Sequence, residues 1–275
     1  MKQQLSGVAG FPWPDGRTSA AAFTFDLDAE AVWEGEDPAN ADRPGVLSQG
    51  SYGPKVAVPL ILALLARHDV TATFFVPGAN VERHHAVVER ILAAGHELAV
   101  HGYTHTSPAR LTPEAEAAEL DRSLELLRGL GAEVTGYRSP SWDVSPVTLD
   151  LLDARGIRYA SQFMDDLVPY RHPGRRVLEL PVQWILDDAP HFWFSGADWS
   201  RTIRSVGEVE PIWSEELDGY RSLGGVFILT MHPQVIGRPS RLVLLERMLV
   251  RAVQAPDVWV ATCAEIAAHA DGILP

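Results

Sequence analysis

Strand-length apolar runs alternate with helical patterns seven or eight times along this 275-residue chain. The strand-like runs cover residues 20–27, 70–76, 97–100, 134–137, 158–160, 177–182, 226–231 and 258–261. Helix-like patterns cover 56–67, 81–94, 113–130, 146–154, 208–222, 241–253 and 263–270. Thr112 before Pro113, and Ser145 before Pro146, each place a capping residue ahead of a first-turn proline. Alternation sustained over this length predicts a closed parallel barrel, with a doubly wound open sheet as the alternative. No internal repeat or low-complexity segment divides the chain, so one domain over 1–275 is expected.

The first strand ends in a costly way. In FTFDLDAE (23–30), Phe23 and Phe25 flank Thr24, and Asp26 and Asp28 follow two residues apart. Residues i and i+2 of a strand share a face, so both carboxylates project from one side of an apolar strand end. Burying such groups without a partner or a metal is expensive. His101 and His105, in HGYTH, are the candidates to share a metal with them. Gly102 disfavours a regular helix there, which places the pair in a loop or a first turn. Neutral imidazole suits Zn²⁺, Co²⁺, Ni²⁺ or Fe²⁺, and two histidines with one carboxylate leave positions open for water.

Other chemistry-bearing residues also follow strands. Arg138 in YRSPSW follows the fourth, and His232 in LTMHP follows the seventh. In a barrel those ends converge on one face, where active sites form. The ordinary reading of Arg138 is a surface arginine in a turn, and of His232 a hydrogen-bonded strand cap. The sharper reading of His232 is a general acid or base working near neutral pH. Asp165 and Asp166 are either a solvated turn or the acids that orient His232. Asp187 and Asp188 read as loop residues, and His68, His84, His85, His96, His172, His191 and His269 as surface or structural.

Residues 34–52, rich in Gly, Pro, Asn and Asp, read as a long loop able to lid a site. Residues 183–198, with Trp184, Phe192 and Trp193, read as a second loop-like insertion: a sugar platform, a lid or a subunit interface. A formal net charge of −13 argues against nucleic acid and anionic membrane as partners. The single cysteine, Cys263, allows neither an intrachain disulfide nor a cysteine-based zinc site. No stretch reaches the roughly 18 apolar residues of a membrane span. The first residues carry no apolar core of signal-peptide length, so a cytoplasmic location is expected.

In this order, TFDLD, HGYTH, RSPSW, SQFMDD and LTMHP resemble the motifs of the polysaccharide deacetylase family of metal-dependent amidohydrolases. The stretch YGPKVAVPLILALLARHDVTATFFVPG also looks like that family's first helix and second strand. The resemblance implies an irregular (β/α) barrel, TIM-barrel-like, with seven or eight parallel strands. It implies Asp26 as catalytic base, and Asp28, His101 and His105 as ligands of a divalent metal, foremost Zn²⁺. Arg138 would pair with Asp26, and His232 would be the general acid. Trp142 would line the pocket, the Tyr103 N–H would hold the oxyanion, and Asp165, Asp166 and Trp184 would complete the substrate side. The chain departs from the usual adjacent acids by the inserted Leu27, and from the usual fourth motif by SQFMDD. Both departures look like an atypical branch that includes peptidoglycan deacetylase-like proteins and cyclic imide hydrolases, with allantoinase-like members related to it and homotetramers common. The implied activity is hydrolysis of non-peptide C–N bonds, removing N-acetyl groups from amino sugars. A small ring amide is the alternative substrate, and a catalytically silent binding module on a barrel scaffold is the alternative from another class.

Overall fold

The computed structural model describes residues 10–194 and 202–275. Its strands are β1 (Ser19–Asp26), β2 (Thr73–Val76), β3 (Glu97–Val100), β4 (Gly136–Tyr137), β5 (Tyr159–Ala160), β6 (Tyr170–Arg171), β7 (Leu178–Glu179), β8 (Val226–Met231) and β9 (Val258–Val260). They form one sheet in the order β6-β7-β5-β4-β3-β2-β1-β8, with β9 also on β1. Every pairing is parallel except β6 with β7. Among the described residues the wall closes on β8 through one isolated parallel bridge, from Asp187 in the segment beyond β7 to Thr230. The result is the irregular β/α barrel expected, with much shorter strands along one side.

β1 is the axis of this sheet. Its first half pairs with β9, its second half with β2, and most of its length with β8. The pleat sorts its side chains by size. Phe23 and Phe25 face outward and pack with Phe74, Leu98, Val100, Phe227 and Leu229 under the helices. Ala20 and Ala22 face inward with Phe75, Ala99, Tyr159, Leu178 and Ile228. Each large apolar side chain so buried contributes about 1.5–3 kcal/mol. Further along the same inward face the residues turn polar: Thr24 and Asp26 on β1, Thr230 on β8 and His232 just past it, all buried.

Three expectations change. Residues 34–52 are not a loop. Helix Ala31–Glu36, a 3-10 turn Pro38–Asp42 and helix Pro44–Tyr52 lead into a π-helical turn Gly53–Ala57 and helix Val58–Arg67. The polar and proline residues there start and cap helices: Asp37 accepts from the Ala39 N–H at 3.0 Å, and Pro38 and Pro44 open the next two elements. The segment is anchored at Asn40 and Gly50, which are buried, and a Cβ on Gly50 would run into the Ala29 carbonyl. The helix expected over 81–94 is broken at His84 into Gly78–Arg83 and His85–Ala93. His84 instead meets Glu30 at 2.7 Å. In 183–198, Trp184–Leu186 forms a 3-10 turn and Ala189–Phe192 a short helix, while 195–198 lie outside the described residues. β6 belongs to no run recognised in the sequence; it forms a hairpin with β7, helped by Gly174 at φ 72°.

Candidate active site

The loops leaving β1, β3, β4, β7 and β8 meet around a cleft of about 590 Å³. Asp26, Asp28, His101, His105, Trp142, Trp184, Asp187, Trp193 and His232 all line it. Asp28 sits at its base, 1 % exposed. Its Oδ1 lies 3.4 Å from the Nε2 of both His101 and His105, and its Oδ2 lies 3.4 Å from His232 Nε2. Among the described residues that Oδ1 is buried with no hydrogen-bond partner.

Each donor is prepared for a cation. The His101 Nδ1–H donates to the Arg138 carbonyl at 2.7 Å, which leaves the Nε2 lone pair facing Asp28. Burial pulls the His105 imidazole down to about 4, so it is neutral at physiological pH. Burial also opposes charge on His101, but Asp26 and Asp28 beside it outweigh that and raise it. Burial alone would raise the Asp28 carboxyl; the imidazoles of His105, His232 and His101 hold it well below the usual carboxylate range. An orphaned carboxylate oxygen facing two imidazole nitrogens fits a divalent metal. Asp28, His101 and His105 offer three ligand atoms within 4.8 Å of one another.

Asp26 is engaged differently. Arg138 Nη1 donates to its Oδ1 at 2.8 Å and to Thr24 Oγ1 at 2.9 Å. Arg138 Nε and Nη2 donate to the Ser161 carbonyl and hydroxyl, and the guanidinium lies 4.0 Å over the Phe75 ring. Arg138 is wholly buried, against the surface-turn reading. Asp26 Oδ2 carries no such bond and lies 3.8 Å from His101 Nε2.

His232 is held by the acids that the sequence left as loop residues. Its Nδ1–H donates to Asp188 Oδ1 at 2.6 Å, and its backbone N–H to Asp188 Oδ2 at 3.0 Å. Burial lowers the imidazole, but Asp188, Asp187 and Asp28 raise it well above its ordinary value. Burial pushes the Asp187 and Asp188 carboxyls up, against the pull of the His232 charge. Asp187 closes the wall by its bridge to Thr230 and accepts from the Ala189 N–H at 2.7 Å.

Two expected assignments fall. Asp165 and Asp166 do not reach His232: Asp166 Oδ1 accepts from the Leu167 and Val168 N–H groups, and Asp165 from the Tyr170 hydroxyl. They are the solvated turn. Tyr103 lies outside the cleft; its N–H donates to Glu119 Oε2 at 3.1 Å and its hydroxyl to Glu82 at 3.0 Å. That N–H is therefore not free to hold an oxyanion.

The cleft walls are aromatic. Trp142 and Trp184 lie 4.4 Å apart, with Trp184 47 % exposed. On the other side Trp33 stacks on Trp193 at 4.8 Å, and Trp193 meets His232 edge-on at 6.3 Å. Sequence reasoning left Trp33 and Trp193 without a role beside the acid. Backbone strain gathers here too: Ala29, His105, Ser141 and Trp142 hold φ between 44° and 62°.

Residues 51–160 match the model of the polysaccharide deacetylase family. The peptidoglycan deacetylase of Helicobacter pylori is 31% identical over 280 residues, covering 90% of this chain and 94% of that protein. A Mycobacterium smegmatis protein assigned to the polysaccharide deacetylases, known from its crystal structure, is 41% identical with a TM-score of 0.91, covering 95% of this chain and 93% of that one. An allantoinase shares the fold, at a TM-score of 0.83 and 20% identity over 99% of this chain and 97% of its own. The barrel and its acid–histidine cleft define a hydrolase of non-peptide C–N bonds. This chain belongs to the polysaccharide deacetylase family. No helix among the described residues is long and apolar enough to cross a membrane.

Proposed function

We propose that the chain is a single catalytic domain that removes N-acetyl groups from an amino-sugar substrate, using a divalent metal, foremost Zn²⁺, held by Asp28, His101 and His105. The observation that carries the reading is the Asp28 Oδ1, buried and unpartnered, facing two imidazole nitrogens at 3.4 Å. When bound, such a metal supplies Lewis-acid polarisation of the amide carbonyl and a more acidic water.

The remaining steps belong to the chain's own residues. Asp26 takes the proton of the attacking water at Oδ2, the oxygen that Arg138 leaves free. Arg138 fixes that carboxylate through a buried 2.8 Å ion pair. His232, kept protonated by Asp188, gives its Nε2 proton to the departing nitrogen. Trp142 and Trp184 offer flat apolar faces to a sugar ring, and Trp193 screens the acid from water.

A cleft of about 590 Å³ also suits a small ring amide, and this is the second reading. The likeness to the Helicobacter peptidoglycan deacetylase favours the saccharide. The test offers Zn²⁺-loaded protein an N-acetylglucosamine oligomer and succinimide. Acetate release that disappears in Asp26→Asn with metal retained supports the deacetylase. Ring opening without acetate release overturns it in favour of the imide. A cytoplasmic location and a tetramer rest on the sequence reading and the family resemblance alone; light scattering of the purified protein tests the tetramer.

A further inference from the structure

The two histidines that face Asp28 are carried by one short loop, and that loop is held from behind. Helix Pro113–Gly129 presents Glu119 to it. Glu119 Oε2 accepts the N–H groups of Tyr103 at 3.1 Å and Thr104 at 3.2 Å, and Oε1 accepts the Thr104 hydroxyl at 2.6 Å. One turn later Ser123 Oγ donates to the Gly102 carbonyl at 2.8 Å. From the other side, the Gly78 and Ala79 N–H groups donate to the Gly102 and Tyr103 carbonyls at 3.0 and 3.1 Å. The loop between the two histidines thus has its backbone groups tied to neighbouring elements. Its geometry needs holding, since Gly102 has φ 66° and His105, not a glycine, has φ 62°.

Glu119 is the one charged group in that clamp. Its carboxylate gathers two consecutive N–H groups, midway between His101 and His105, and touches neither imidazole. Removing it leaves two adjacent amides without their acceptor and frees the segment that sets the distance between the two Nε2 atoms.

We propose that Glu119 is a positioning residue that preorganises His101 and His105 for the metal, an inference that rests on the metal reading of that pair. The expected effect is on affinity: groups of this outer kind change metal binding by about 10–100-fold when removed. The test strips metal from purified full-length protein, then measures Zn²⁺ affinity by competition with a chromophoric chelator. Wild type, Glu119→Ala, Glu119→Asp and Glu82→Gln are compared. The last alters the partner of the Tyr103 hydroxyl on the same loop, and of Arg122 beside it, and leaves the backbone clamp in place. Glu119→Ala is expected to bind about 10–100-fold more weakly, with altered visible bands in the Co²⁺-loaded protein, while Glu82→Gln matches wild type. Should Glu119→Ala fail to fold, Glu119→Asp carries the test, because its shorter side chain draws the carboxylate off both N–H groups. Wild-type affinity and spectrum in a folded Glu119→Ala or Glu119→Asp overturn the proposal. Wild-type protein that takes up no Zn²⁺ overturns the metal reading itself, and this inference with it.

Discussion

Asp188→Asn isolates what a carboxylate does for the acid. Asp188 is fully buried and makes two hydrogen bonds to His232, at 2.6 Å to the ring and 3.0 Å to the backbone. Asparagine keeps the shape and removes the charge. A hydrogen bond to a charged partner is worth about 1.5–3 kcal/mol. Losing that stabilisation of the imidazolium shrinks its protonated fraction, so turnover on the alkaline side falls by up to roughly 10–150-fold. The sign of the pH effect follows from the same contact. Asp188 raises His232, so its loss lowers the pH at which His232 gives up its proton. As the proposed acid, His232 must be protonated to act, so the alkaline limb of the kcat profile moves to lower pH in the variant. The assay is acetate release across pH 5–10 on metal-loaded protein (roughly the span of an imidazole raised from its ordinary value), with metal content measured in parallel. Among the described residues Asp188 makes no hydrogen bond or ion pair to Asp28, His101 or His105, so metal held by those three should stay at the wild-type level. An unmoved alkaline limb with an unchanged rate would refute the reasoning and leave His232 without a role as acid.

Three further outcomes are expected. His105→Ala removes one of three converging donors, and metal content measured after dialysis should fall to background; stoichiometric metal would break the assigned set. Arg138→Gln leaves Asp26 buried without its cation, which costs about 3–5 kcal/mol, so chemical denaturation should show a lower midpoint and turnover should be lost; an unchanged midpoint would mean that Asp26 needs no partner. His96 accepts the Ala72 N–H at its Nδ1 and is held below its ordinary value by burial. Folding therefore requires it neutral, and its contribution is lost as pH falls through and below about 6.5, with a slope of at most about 1.4 kcal/mol per pH unit. Substituting His96→Gln should flatten that part of the acid limb of a stability curve, and an identical slope in the variant would contradict it.

What could be read from the residues follows how locally each feature is encoded. β1 was legible because its run is apolar and alternates from Ala22 to Phe25, and the acids at and just past its end had to be explained by something nearby. The HGYTH loop was legible because its glycine and its histidines are neighbours in sequence. The partners of His232 were not. Two Asp-Asp pairs lie within 24 residues of each other, and each looks like a turn. Only the parallel bridge at Asp187, formed where the barrel wall comes round to β8, brings one of them to the histidine. The other satisfies its own backbone at 166–168 and stays outside. Residues 34–52 misled for a related reason. Glycine, proline and aspartate mark breaks between helices as well as loops, and only the close approach of Gly35 to the His105 backbone and of Gly50 to Ala29 distinguishes the two.

The bridge that ties the segment after β7 to β8 links the fold to the chemistry. Asp187 makes the bridge, and the next residue both donates its N–H to the Thr230 carbonyl at 3.1 Å and holds the imidazole. Closure of the wall and arming of the proton donor are thus one event at one pair of residues. An opening of this seam disconnects the donor while Asp28, His101 and His105, which follow β1 and β3, stay in register. With a metal held as proposed, such a molecule would keep it and be silent. Opening at the seam would then act on turnover alone, and exchange of the His232 amide hydrogen would report it.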